Sequence, residues 1–394
     1  MTRDFLFTSE SVTEGHPDKL CDQISDAIVD RYLQQDPFST LVAETALSKG
    51  IVFIASHFCS KGTVDIPGLA REVIRDIGYD DESFNARSCS VMTSLNEMPS
   101  RAEPTPDERE LDDEAIERIA VTEHATVFGF ACKQTPELMP LPIVVAHDLA
   151  KRLAEARRKG STSYLNPDGK TQVGIEYLDN RPHRIHSITL VASQKKDAPS
   201  LSRLRDDLVE QVIRPAFSGK ELRPDANTTI SINPEGAVIL GGPTLHSGST
   251  GRKVGVDTWG EYARNSGSAM SGKDPTRIDR IGVYAARHAA KNVVAAGLAD
   301  ECEVQLSYSI GLSRPVTVRA RTFGTGRISN AEISKRIDAN FDLRPGGIIR
   351  DFELRWLPIQ RKQDFYRRLA SYGQVGRPEL DLPWERTNAV ARLS

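Results

Sequence analysis

Short β-rich runs alternate with amphipathic helical runs along the whole chain, and this alternation restricts the fold more than any other feature. Pro17 suits a first helical position, and Leu20, Ile24, Ala27, Ile28 and Tyr32 recur behind it at helical spacing. A helix is therefore expected over 17–36, with others over 65–77, 143–158, 201–213, 280–298 and 330–341. Between them "IVFIAS" (51–56), "GIEY" (174–177), "SITLVAS" (187–193), "TTISI" (228–232), "AVILGG" (237–242), "EVQLSYSI" (303–310) and "PVTVRART" (315–322) read as strands. The pattern indicates α/β or α+β domains, and the blocks recur about three times without an exact repeat.

The chain has 394 residues, too many for one simple core. We divide it at 1–99, 121–231 and 232–394. Residues 100–120 are acidic and Pro-punctuated, and read as an exposed connection or a lid with one short helix. A net charge of −3 gives no reason to expect nucleic-acid or membrane partners. Five dispersed cysteines without a C-x-x-C pair, no apolar leader and no long apolar run point to a reduced, cytoplasmic protein.

Three polar loops carry the chemistry. "SVTEGHPDK" (11–19) places His16, Asp18 and Lys19 at a helix start, where free N–H groups attract anions. Asp18 opposes an anion unless Mg²⁺ lies between them. "STGRK" (249–253) supplies Arg252 and Lys253, and "SGKDPTRIDR" (271–280) supplies Lys273, Asp274, Arg277, Asp279 and Arg280. Glycines, cations and spare carboxylates together suit a polyphosphate with divalent ions. No Walker A sequence and no G-x-S-x-G elbow is present.

These loops, with "LMPLPIVVAHDL" (138–149), "INPEGAVILGGP" (232–243) and "FDLRPGGII" (341–349), resemble the S-adenosylmethionine synthetase (methionine adenosyltransferase) family over essentially the whole chain. The resemblance implies three similar α/β domains in a pseudo-threefold arrangement. It also implies a homodimer or dimer of dimers with active sites at the subunit interface. The implied reaction moves adenosyl from ATP to a thioether sulfur and releases the triphosphate as pyrophosphate and phosphate, with two Mg²⁺ and one K⁺.

On the same basis His16 lies at the departing oxygen, and Asp18 and Asp279 bind Mg²⁺. Lys170, Arg252, Lys253, Lys273 and Arg277 hold the triphosphate, with Lys19 beside them. Asp168 lies at the ribose, Val238 takes the place of an adenine-stacking Phe, and Glu44 binds K⁺. At the acceptor end the family's acidic positions fall on His57, Glu123 and His246, and its Gln falls near Met98. The sequence reading therefore favours a methionine-like acceptor recognised differently at its amino end. The alternatives are the ordinary L-methionine reaction and a catalytically quiet nucleotide-binding homologue.

Overall fold

The computed structural model describes residues 4–99, 105–361 and 364–393. Three sheets and three long helices organise them. The first sheet runs in the order Phe5–Val12, Leu165–Leu178, Arg181–Gln194, Thr229–Ile232. Its first three strands are antiparallel and the last joins in parallel. The second runs Gly248–Ser249, Thr40–Ser48, Ile51–Cys59, Ser90–Glu97, and the third Thr317–Arg321, Glu301–Tyr308, Ala125–Cys132. A two-stranded ribbon, Asp80–Asp81 with Phe84–Asn85, stands apart.

Each larger sheet carries one long helix on its buried face. Leu141–Arg158 packs on the first, Pro17–Gln35 on the second and Ile278–Ala295 on the third. The mixed α/β fold expected from the sequence is thus present, one sheet and one long helix at a time. The strands show the period of two that such packing requires. Leu41, Ala43, Thr45 and Leu47 point inward with Val52 and Ile54, while Ile51, Phe53 and His57 point outward. In the third sheet the strand lies so close to its helix that a Cβ on Gly129 would fall 2.0 Å from the Ala286 carbonyl carbon. Only glycine admits that approach.

The first two sheets cross the divisions placed at residues 99 and 231, and the third crosses the one at 231. Phe5–Val12 joins central strands, Ala125–Cys132 joins the third sheet, and Gly248–Ser249 closes onto Thr40–Ser48. Four strands of eight or nine residues escape the sequence reading: Phe5–Val12, Thr40–Ser48, Ser90–Glu97 and Ala125–Cys132. The expected strand at 237–242 is corrected. Only Val238 bridges, to Ser193, and the chain then turns away because Asp168 captures the Gly242 N–H.

The expectation of an exposed connection at 100–120 is corrected in part. Residues 100–104 lie outside the described residues. Beyond them, Glu108 is buried against Arg355 at 2.8 to 3.0 Å, and Ile116 is fully buried. Arg344 clasps Asp113 and Glu117. This segment is fastened to the C-terminal helices, while Asp112, Asp113 and Glu114 remain exposed as their charge suggests.

Candidate active site

The helix Pro17–Gln35 begins at His16, which caps it: Nδ1 accepts the Asp18 N–H at 3.2 Å. A neutral ring that accepts at Nδ1 carries its proton on Nε2. Burial is the main cause that lowers the His16 pKa to about 3, followed by the charges of Lys253, Lys170, Lys19 and His246. His16 is therefore a neutral donor, with those side chains around it. Asp168 lies in the same group. It is buried, and burial raises its pKa against the Gly242 N–H, Lys170 and His246. Its Oδ2 accepts from Gly242 at 2.8 Å, while Oδ1 has no partner among the described residues. Val238 adjoins this aspartate: it bridges to Ser193, whose hydroxyl donates to the Asp168 carbonyl. His246 is exposed on the turn after Gly242, its N–H bonded to that residue's carbonyl at 3.0 Å.

The loop carrying Arg252 and Lys253 is tied to the helix by aspartates. Asp18 accepts the Ser249 N–H at 3.1 Å and Asp22 accepts that of Gly251 at 2.8 Å. Arg252 reaches 3.5 Å from Asp18 and leaves half of its side chain exposed, and Lys253 pairs with Glu10. Lys170 sits mid-strand, opposite Val12 and Val191, and is half-buried.

Lys19 is corrected. Its ammonium is fully buried between Asp22, at 2.8 Å, and Asp257. Burial alone would lower its pKa, but the two carboxylates outweigh it and hold the charge. Two of its three donors are taken by these carboxylates, so it braces the loops.

A second group forms around the loop 271–274. Asp26 accepts the Gly272 N–H at 2.9 Å and binds Arg280 through both oxygens at 2.8 and 2.9 Å. Gly272 has φ +79°, and a Cβ there would meet the Ala43 carbonyl oxygen at 2.0 Å, so glycine is required. This places Lys273 against Asp279, Nζ to Oδ2 2.6 Å, in the first turn of Ile278–Ala295. Arg277 binds Glu123 at 2.5 Å. Lys273 bridges to Val42, which is opposite His57; Glu44 is opposite Ala55. Strand alternation puts Glu44 and His57 on one exposed face, with Met98 beside them through its N–H to Phe58 at 2.7 Å.

The candidate residues thus fall into two sets. One holds His16, Asp18, Asp168, Lys170, Val238, His246, Arg252 and Lys253. The other holds Glu44, His57, Met98, Glu123, Lys273, Arg277 and Asp279. Among the described residues no side-chain hydrogen bond or ion pair joins the two. A wide cavity, about 2200 Å³, lies elsewhere, between Phe7, His147, Tyr262, Phe323 and Arg377.

Sequence reading missed Asp22, Asp26 and Asp30. With Asp18 they recur every fourth residue, which puts them on one helix face. Each accepts backbone N–H groups from a distant loop; Asp30 takes those of Tyr366 and Arg367, both at 2.9 Å.

Fold and site together define an α/β enzyme built around cation-bearing loops and single carboxylates. Three family models cover most of the chain: S-adenosylmethionine synthetase N-terminal domain at 4–100, central domain at 118–238 and C-terminal domain at 240–386. The S-adenosylmethionine synthase of Gloeothece citriformis is 48% identical, with 100% of this chain and 97% of the relative covered. Those of Gloeobacter violaceus and Microcystis aeruginosa are 48% and 47% identical, covering 99% and 100% of this chain and 97% and 98% of the relatives. The chain belongs to the S-adenosylmethionine synthetase family.

Proposed function

We propose that this chain transfers the adenosyl group of ATP to the sulfur of L-methionine, making S-adenosylmethionine, and splits the released triphosphate into pyrophosphate and phosphate. Relatives that share nearly half its residues over their full length carry the name of that synthase. The single observation that carries the reading here is the neutral, buried His16 facing a group of cations. A sulfur attacking C5′ must expel a triphosphate, and negative charge then grows on its departing oxygen. The His16 Nε2–H is a donor suited to that oxygen, and Arg252, Lys253, Lys170 and Lys273 suit the phosphates. The unpartnered Asp168 Oδ1 is an acceptor suited to a ribose hydroxyl.

Mg²⁺ fits this donor set. Among the described residues no three His, Cys, Asp or Glu side chains converge on one point. Separate carboxylates, Asp18 and Asp279, match an ion held by one protein oxygen plus substrate phosphates. When bound, it supplies positive charge to the triphosphate. Glu44 offers K⁺ one exposed carboxylate. Two unjoined sets of site residues support a homodimer, or a dimer of dimers, in which one protomer's His16 set meets its partner's Lys273 set. The outward faces carry Ile51, Phe53, Met92, Leu6 and Leu178, apolar groups suited to such packing.

A second reading keeps the reaction and changes the acceptor. Its specific support is that Glu123, the carboxylate left among the three acceptor-end positions, is already bound by Arg277, while 57 and 246 are histidines. A missing carboxylate removes about 1.5–3 kcal/mol of binding to an ammonium. The kcat/KM for L-methionine against 4-(methylthio)butanoate separates the two. The ordinary reading predicts that methionine is preferred by at least about tenfold; equal or better use of the des-amino acid would overturn it.

A further inference from the structure

We infer that Gln374 is a positioning residue that fixes the spacing between the two cation-bearing loops. This rests on the proposed role of those loops in holding the triphosphate. Gln374 is fully buried and every polar group it has is used. Its N–H donates to the Asp257 carbonyl at 2.9 Å and its Nε2 to the Ser271 hydroxyl at 3.2 Å. Its Oε1 accepts from the Tyr284 hydroxyl at 2.5 Å, and its carbonyl accepts from Trp384 Nε1 at 2.9 Å.

Those partners lie on three separate pieces of the site. Asp257 closes the turn after Arg252 and Lys253, and its carboxylate holds Lys19. Ser271 precedes Gly272 and Lys273. Tyr284 lies on the helix that carries Asp279, accepts a hydrogen bond from Arg280 at 3.1 Å, and stacks on Trp384 with centroids 3.9 Å apart. One side chain and its backbone therefore touch the Lys253 loop, the Lys273 loop and the Asp279 helix at once. Among the described residues no hydrogen bond runs directly between the two loops; Gln374 bonds to both, beside the helix Pro17–Gln35, which reaches them through two different residues, Asp22 and Asp26.

The backbone that delivers it is held in an uncommon conformation. Tyr372 has φ +63° and Gly373 φ +90°. A non-glycine residue in the left-handed region persists where surrounding contacts over-determine it. Gln374 needs both an amide donor and an amide acceptor, so a glutamate or an aliphatic residue leaves a buried group unpaired.

The experiment measures binding of tripolyphosphate with Mg²⁺ by calorimetry, which requires no turnover, together with the Tm of each variant. Gln374→Met, Ser271→Ala and Tyr284→Phe are compared at least 20 °C below their Tm. Each should raise the Kd about tenfold, and Gln374→Met with Ser271→Ala should raise it less than the product of the two. A purely structural role would lower Tm and leave Kd unchanged; a wild-type Kd in Ser271→Ala and Tyr284→Phe overturns the inference even if Gln374→Met does not fold. Failure of the wild type to make a sulfonium product would instead count against the proposed reaction.

Discussion

His16 caps a helix, and the donor role proposed for it falls on the same ring. The folded chain leaves its ring unprotonated down to about pH 3, because burial and then four neighbouring side chains oppose the charge. The unfolded chain takes up that proton near pH 6.5. Protons therefore favour the unfolded chain, and stability falls as pH drops from 6.5 toward 3. At pH 5 the difference is about 2 kcal/mol. His288, lowered to about 4 chiefly by burial, acts in the same direction. In His16→Asn the loss of Tm between pH 7.5 and pH 5 should shrink, and kcat should fall by about 10²–10³. A Tm loss equal to that of the wild type, or an unchanged kcat, contradicts the role given to the ring. His16 was legible from its place before Pro17. The burial of Lys19 was not, because its partner Asp257 stands 238 residues away.

The helix Pro17–Gln35 is the element that assembles the site. Asp18, Asp22, Asp26 and Asp30 present carboxylates along one face, and Ser249, Gly251, Gly272 and Tyr366 dock on them in turn. Four-residue spacing was visible in "DKLCDQISDAIVD", but on a surface helix the same spacing is a solvated stripe. Only the distant loops reveal its purpose. Asp26 is the most consequential step, because it holds both the Gly272 N–H and the buried Arg280. Burial raises its pKa against the pull of that guanidinium. Asp26→Ala leaves a buried Arg280 unpaired and should cost about 3–5 kcal/mol in urea denaturation. A loss below about 1 kcal/mol would show that the ladder does not hold the Lys273 loop. The central helices were readable from apolar spacing. The strands Thr40–Ser48 and Ala125–Cys132 were not, since Glu44 and Gly129 interrupt their β-rich character for reasons of site and packing.

At the scale of the whole molecule, the three sheets are stitched from strands far apart in sequence. A division of the chain into consecutive segments therefore does not divide its sheets. The family resemblance supplied most of the candidate residues, but sequence order could not show that they separate into two sets, because strand pairing and loop docking decide that. No helix among the described residues is long and apolar enough to cross a membrane. The proposed adenosyl transfer and the proposed sharing of its site by two protomers are both tested by one measurement. Arg252→Ala, from the His16 set, and Lys273→Ala, from the other, are purified singly and after co-expression. Each preparation is given ATP, Mg²⁺, K⁺ and L-methionine, and the adenosyl sulfonium product is quantified by mass spectrometry. Half of randomly assembled dimers are mixed and each carries one intact site. The co-expressed pair should therefore regain about one quarter of the wild-type rate, while each variant alone stays near zero. No sulfonium product from the wild type, or a mixed sample no faster than its components, would contradict the account.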